Sequence, residues 1–273
     1  MGVIKMKRLL ILYFVFCILC SVSLGDNDFG DVNCVALWRL ENGALTVDSK
    51  GGNTLTNDAV VADAVNYKEG EASGDFEWSS SAFMTIADAD LDAGFPLKDG
   101  DSTKKISVCA WIMPESLPTE GCFFAKWDHA GLKRQLQILQ LGSPSDIRVY
   151  IGYNGGVSYE EVVTLNTNMV VNQWYHIGFT FQDSDKSWRL RVWDESGESV
   201  MEDTGNTINN INIEDSFFTL GCVSDGINHF DGRIDEVVVF NDILTSDEID
   251  QIRVGTYGVA AGGGGQVIII YED

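Results

Sequence analysis

HFDGRIDEVVVFN, residues His229–Asn241, reads as one long β-strand with a carboxylate in its middle. Phe230 opens it, Gly232 allows close backbone approach, and Ile234, Val237, Val238, Val239 and Phe240 are strand formers. Asp235 stands inside the apolar run. A carboxylate there must be solvated, paired or bound to a metal, because burying it bare costs several kcal/mol. A strand this apolar on both faces belongs at the centre of a sheet, so the expectation is a central strand of a β-sandwich.

Working back from that strand, the chain alternates short apolar runs with polar turns. Cys34–Leu40 (CVALWRL) is a first strand, followed by the glycine-rich loop Asp48–Asn53 (DSKGGN). Phe76 to Ile86 reads as a hairpin across Ser79–Ser81, and Asp88–Asp101 as an acidic loop. Lys105–Met113 (KISVCAWIM) is a strongly patterned strand, and Cys122–Trp127 is its antiparallel return across the turn Pro114–Gly121. Leu132–Leu141 has an ambiguous period and is assigned as strand from its neighbours. Ile147–Tyr153, Asn172–Phe181, Ser187–Trp193 and Ser216–Cys222 complete the set, with Asn154-Gly155-Gly156 as a hairpin turn. Only Ser246–Val254 reads as helix, capped by Thr245 or Ser246 with Asp247 and Glu248 in its first turn. About a dozen strands with turns every 8–12 residues and one late helix predict an all-β, two-sheet antiparallel sandwich of the jelly-roll kind.

The ends carry other signals. Lys5, Lys7 and Arg8 precede the apolar run Leu9–Cys20, and Ser23 and Gly25 suit a cut before Asp26. Residues 1–25 therefore read as a secretory signal peptide, the run being short for a span of about 20 residues. Export places the protein outside the cell or at its surface. At the other end, residues 259–273 hold a Gly-rich joint, Gly262–Gly265, and an apolar β-prone run, Val267–Tyr271. That run adds to its own sandwich, pairs with a second copy, or is the stub of a longer chain. Residues 26–258 form one domain.

The sequence carries 41 acidic and 18 basic residues, a formal charge of −23; loss of residues 1–25 removes three cations and no acid, giving −26. Such a surface repels nucleic acid and anionic lipid and suits divalent cations or neutral sugars, besides simple solubility. After the cut Cys34, Cys109, Cys122 and Cys222 remain. Two disulfides with three alternative pairings, or four buried free thiols, both fit an exported chain.

Four blocks in order resemble the concanavalin A-like lectin/glucanase superfamily, in its laminin G-like, pentraxin-like branch. They are Trp38–Asn53 (WRLENG then VDSKGGN), Ile106–Pro118 (ISVCAWIMPESLP), Asn172–Gly197, which contains NQWYHIGFTF, and Phe230–Ile249 (FDGRIDEVVVFNDILTSDEI). The resemblance implies a laminin G-like jelly roll of two curved sheets. It also implies a structural Ca²⁺ tying the early loop to the last strand, with Asp48, Asn53 and Asp235 as ligands and backbone carbonyls around Gly51 completing the shell. Oxygen-rich, glycine-bearing loops suit Ca²⁺, which takes six to eight oxygens. Lys50 and Thr54-Leu55 depart from the family loop. The plainer alternative is that Asp48 caps a turn and Asp235 accepts backbone N–H bonds.

Catalysis is not expected. Some relatives cleave glucans with an E-x-D-x-x-E strand, and this chain has none. Its acidic pairs Glu160-Glu161, Asp194-Glu195 and Asp235-Glu236 are adjacent, so on a strand their side chains face opposite ways. No G-x-S-x-G or H-E-x-x-H pattern occurs, and His176 reads as structural. The expected function is a secreted, calcium-stabilised lectin-like module that binds carbohydrate or a glycosylated surface, with Trp127, Asp128, His129, Tyr153, Asn154 and Tyr159 as loop-proximal contacts. The alternatives are a structural or adhesive subunit of an extracellular fibre or coat, self-associating through Val267–Tyr271, and, third, a glycoside hydrolase.

Overall fold

A computed structural model describes residues 29–258. The expected leader and the glycine-rich tail lie outside the described residues. The strands, in chain order, are β1 (Cys34–Trp38), β2 (Thr56–Asp58), β3 (Val61–Asp63), β4 (Ser73–Phe76), β5 (Phe83–Ile86), β6 (Lys105–Pro114), β7 (Glu120–Asp128) and β8 (Lys133–Leu141). They continue with β9 (Ile147–Tyr153), β10 (Ser158–Leu165), β11 (Tyr175–Gln182), β12 (Ser187–Asp194), β13 (Ser199–Asn206), β14 (Phe218–Leu220) and β15 (Gly232–Phe240), before the helix α1 (Ser246–Arg253).

They build two antiparallel sheets. One runs β13-β12-β11-β6-β15-β4-β3, with β1 also paired to β15; the other runs β10-β9-β8-β7-β14-β5-β2. The expected jelly-roll sandwich is the observed fold. Its main core lies between the sheets, where Trp38, Phe124, Phe179, Phe218, Phe230 and Val237 are buried. Alternation sets the faces: in β9, Ile147, Val149 and Ile151 enter this core, leaving Arg148 and Tyr150 on the opposite face. β6 is apolar on both faces because α1 covers its outer side, where Cys109, Val238, Phe240, Ile249 and Ile252 form a second cluster. Gly178 permits that cover: a Cβ there would meet Ile249 Cγ2 at 2.5 Å. Thr245 and Glu248 cap α1 reciprocally.

β15 sits at the centre of its sheet, as its composition predicts. Its first half pairs with β4 (Ile234 opposite Gly74) and its second half with β1 (Val237 opposite Trp38), while β6 runs along its other side. The handover is a bulge at Asp235–Glu236, where Glu236 has φ +48°. Two expected hairpins are not hairpins. β4 and β5, and likewise β6 and β7, belong to different sheets. A tight turn at Trp78–Ser80 and the segment 115–119 carry the chain across the sandwich, because burying both apolar faces needs the second sheet more than a local partner. The four cysteines among the described residues, Cys34, Cys109, Cys122 and Cys222, are buried free thiols, and burial pushes Cys34 and Cys222 up to about 12.

Candidate functional site

The loop after β1 is a knot of acceptors. Asp48 bridges to Trp38, and its Oδ1 accepts from Leu37 N and Lys50 N, each at 2.9 Å. Its Oδ2 accepts from Asn53 N at 3.1 Å and Asn53 Nδ2 at 2.8 Å. Asn53 Oδ1 takes the N–H of Asp92 at 2.8 Å, and Asp92 Oδ2 in turn takes Gly52 N at 2.5 Å. A Cβ on Gly51 would lie 2.7 Å from Asp92 Oδ2, 2.8 Å from Val35 O and 2.9 Å from Asp48 Oδ2. Three oxygens therefore converge where only glycine fits.

Two carboxylates and a carbonyl are donors that suit Ca²⁺. The fit to the expected ligand set is partial. Asn53 turns its Nδ2 toward the same three oxygens, reaching Val35 O at 3.2 Å and Asp92 Oδ2 at 3.3 Å. Its own carbonyl is engaged by Asp92, so Asn53 here orders acceptors by donating to them. Asp92, forty residues from Gly52, is a member that sequence reading did not single out.

Asp235 does not join this knot. It is fully buried beside the bulge of β15, and its carboxylate accepts from Lys68 N at 2.7 Å, Glu69 N at 3.4 Å and Glu236 N at 2.9 Å. The loop that it holds therefore precedes β4. Contact with the chain just after β1 comes from its neighbour, through Arg39 Nη1 to Glu236 Oε2 at 3.3 Å. Burial pushes Asp235 up to about 8, against the lowering effect of its three N–H donors, and raises Glu236 as well.

One further acid trio stands among the described residues, Asp75, Glu77 and Glu115. Arg233 supplies the positive charge there, pairing with Glu115, with Asp63 at 2.6 Å and with Asp75 at 3.7 Å.

The outer face of the seven-stranded sheet carries an aromatic cluster. Trp127, 1% exposed, lies under His129 (5.7 Å between centroids), Tyr159 (5.9 Å) and Tyr150 (6.3 Å), and the two tyrosines meet edge to face at 5.4 Å. Among the described residues no acceptor reaches Trp127 Nε1. Arg134 lies over the Tyr159 ring and Arg148 over the Tyr150 ring. Tyr159 is 53% exposed, so the cluster opens to solvent. Of the contacts expected from sequence, Trp127, His129 and Tyr159 come together. Asp128 instead closes a turn, accepting Gly131 N, and Tyr153 and Asn154 lie at the β9–β10 turn. Tyr150, Arg148 and Arg134 were missed, although the alternation in IRVYIGY already puts Arg148 and Tyr150 on one face.

The family model described as the concanavalin A-like lectin/glucanases superfamily, laminin G type, matches residues 87–250. The chain belongs to this superfamily. No curated protein matches its sequence. Among solved structures, it is similar to domain 4 of AbnA, a GH43 extracellular arabinanase from Geobacillus stearothermophilus, in complex with arabinotriose. That match has a TM-score of 0.57 at 18% identity and covers 82% of this chain and 98% of that one. The binding domain of Paraclostridial Mosquitocidal Protein 1 matches at TM-score 0.58 and 14% identity, over 81% of this chain and 52% of that one. The receptor binding domain of botulinum neurotoxin type G matches at 0.56 and 12%, over 81% and 51%. The chain thus spans about half the length of the toxin domains, and at these identities the likeness is one of fold.

Proposed function

We propose that this protein is a secreted lectin-like binding module and that the outer face of its seven-stranded sheet takes carbohydrate. The observation that carries the reading is the open pair Tyr150 and Tyr159 over Trp127, flanked by Arg134 and Arg148. Aromatic faces stack on the C–H faces of sugar rings, and guanidinium N–H groups reach ring hydroxyls. The superfamily supports this reading, as does a similar domain holding arabinotriose. Binding without turnover is proposed because the sequence lacks the E-x-D-x-x-E strand; against the sequence expectation, the bulge of β15 turns Asp235 and Glu236 to one face, between the core residues Ile234 and Val237. Ca²⁺ enters as a stabiliser of the first loop, held by Asp48, Asp92 and the Val35 carbonyl around Gly51, with Asn53 positioning them. Asp235 would act separately, on the loop before β4. When bound, the ion would supply positive charge that holds these acids together.

The test is retention on a glycan array in Ca²⁺, compared with Tyr159→Ala. Retention that the variant loses by about tenfold, the size of one good stacking contact, supports the reading. No retention of wild type on any glycan counts against it. The second reading, an adhesive or coat subunit, draws on the low-charge run Val267–Tyr271. Deleting residues 262–273 with no change in assembly state would remove its support.

A further inference from the structure

Trp78 is 60% exposed at the tight turn that joins the two sheets. It lines a trough of about 310 Å³ together with Pro118, Thr119, Glu120, Asn228 and His229. This trough lies at the end of the sandwich where β7 begins, whereas Trp127 and His129 lie at and beyond the other end of that strand.

Its walls are fixed. Trp78 N donates to Asp231 Oδ1 at 3.0 Å, and Ala82 N closes the turn on Glu77 O at 3.1 Å. Asn228 Nδ2 holds Glu120 Oε2 at 2.9 Å, and Asn228 O takes Cys122 N at 2.7 Å. An aromatic side chain displayed on so anchored a turn loses little freedom when it binds.

His229 closes one side of the trough. It is 8% exposed, and its Nε2 lies 3.1 Å from Gly226 O, which can only accept. Nε2 therefore donates, and in the uncharged ring Nδ1 is an acceptor. Among the described residues no donor reaches that buried Nδ1. That atom is sealed from solvent, so His229 serves the trough as a fixed wall and not as a partner for a ligand.

We infer that the Trp78–Glu120–His229 trough is a second saccharide subsite, built for the end of a neutral, hydroxyl-rich glycan. Trp78 supplies the stacking face, and Glu120 accepts from a hydroxyl. Glu120 and the net charge of −23 repel anionic sugars. The volume lies near the small end of ligand clefts, about 300–1,000 Å³, and suits a chain end rather than a long stretch of polymer. The inference rests on the carbohydrate-binding reading but uses residues that the aromatic sheet face does not share.

The test uses arabinotriose, xylotriose and cellotriose as probes, titrated into ¹⁵N-labelled protein. The Trp78 indole N–H resonance is assigned from Trp78→Phe. The expected result is that at least one probe shifts this resonance, and that Trp78→Ala and Glu120→Gln each weaken its binding about tenfold. Tyr159→Ala should leave that Trp78 shift in place. A probe that binds wild type while the Trp78 resonance stays still overturns the subsite and leaves the lectin reading standing. Binding of none of the three overturns the subsite, while the glycan array judges the wider reading. Trp78 is exposed, so its variants should unfold at the wild-type temperature.

Discussion

Asp48 Oδ2 accepts the side-chain amide of Asn53 at 2.8 Å, and the same carboxylate holds the backbone N–H groups of Leu37, Lys50 and Asn53. This one carboxylate fastens the first loop to the first strand. Asp48→Ala strands several buried donors and is expected to cost about 3–5 kcal/mol in urea unfolding with an unchanged slope. Asn53→Asp places a third carboxylate beside Asp48 and Asp92. It should melt lower than wild type in excess chelator and regain the difference in millimolar Ca²⁺ by linkage. A wild-type melting temperature that is the same in Ca²⁺ and in chelator would remove calcium from the account.

Lys126 and Asp88 form an ion pair at 2.5 Å, with side chains only 2% and 4% exposed, and Lys126 also donates to Ser216 O at 2.8 Å. Lys126→Ala leaves Asp88 buried without its cation and is expected to cost about 3–5 kcal/mol. The double variant Lys126→Met, Asp88→Leu should recover most of that loss, because it removes both charges. A double variant as unstable as the single one would show that packing, and not charge, dominates the site.

His176 sits against Trp111 at 5.1 Å, and burial, with Arg253 nearby, holds its pKa down at about 3. Asp250 opposes this, while Arg191 and Lys68 add to it. The unfolded imidazole titrates near 6.5. The unfolded chain therefore takes up this proton first. The contribution is fully present above about pH 6.5 and is lost as pH falls toward about 3. His176→Phe is expected to flatten the stability profile across that window while leaving stability at pH 8 little changed. An unaltered profile would assign the acid lability to other groups.

Gly178 lies directly beneath Ile249 of α1. Gly178→Ala is expected to destabilise by about 1–3 kcal/mol through overpacking. Adding Ile249→Ala should make the combined loss smaller than the sum of the two single losses, measured as a double-mutant cycle. Strict additivity would mean that the helix does not rest on that backbone.

The sequence by itself determined the sandwich, the central place of β15 and the single capped helix, because each of these is written in local periodicity and turn chemistry. CVALW, KISVCAWIM and IRVYIGY fold as read. The partners did not follow. Whether β7 returns on β6 or crosses to the other sheet is decided by burying two apolar faces at once, and no run of neighbours records that. The same physics divides the sites. Asp48, Gly51 and Asn53 meet because a short loop forces them together. Asp92 joins them, and Asp235 turns instead to Lys68 and Glu69, only because distant segments close over one another. The grouping of Tyr150 and Tyr159 with Trp127, and of Trp78 with His229, is likewise a product of strand register and loop packing across the folded sheets.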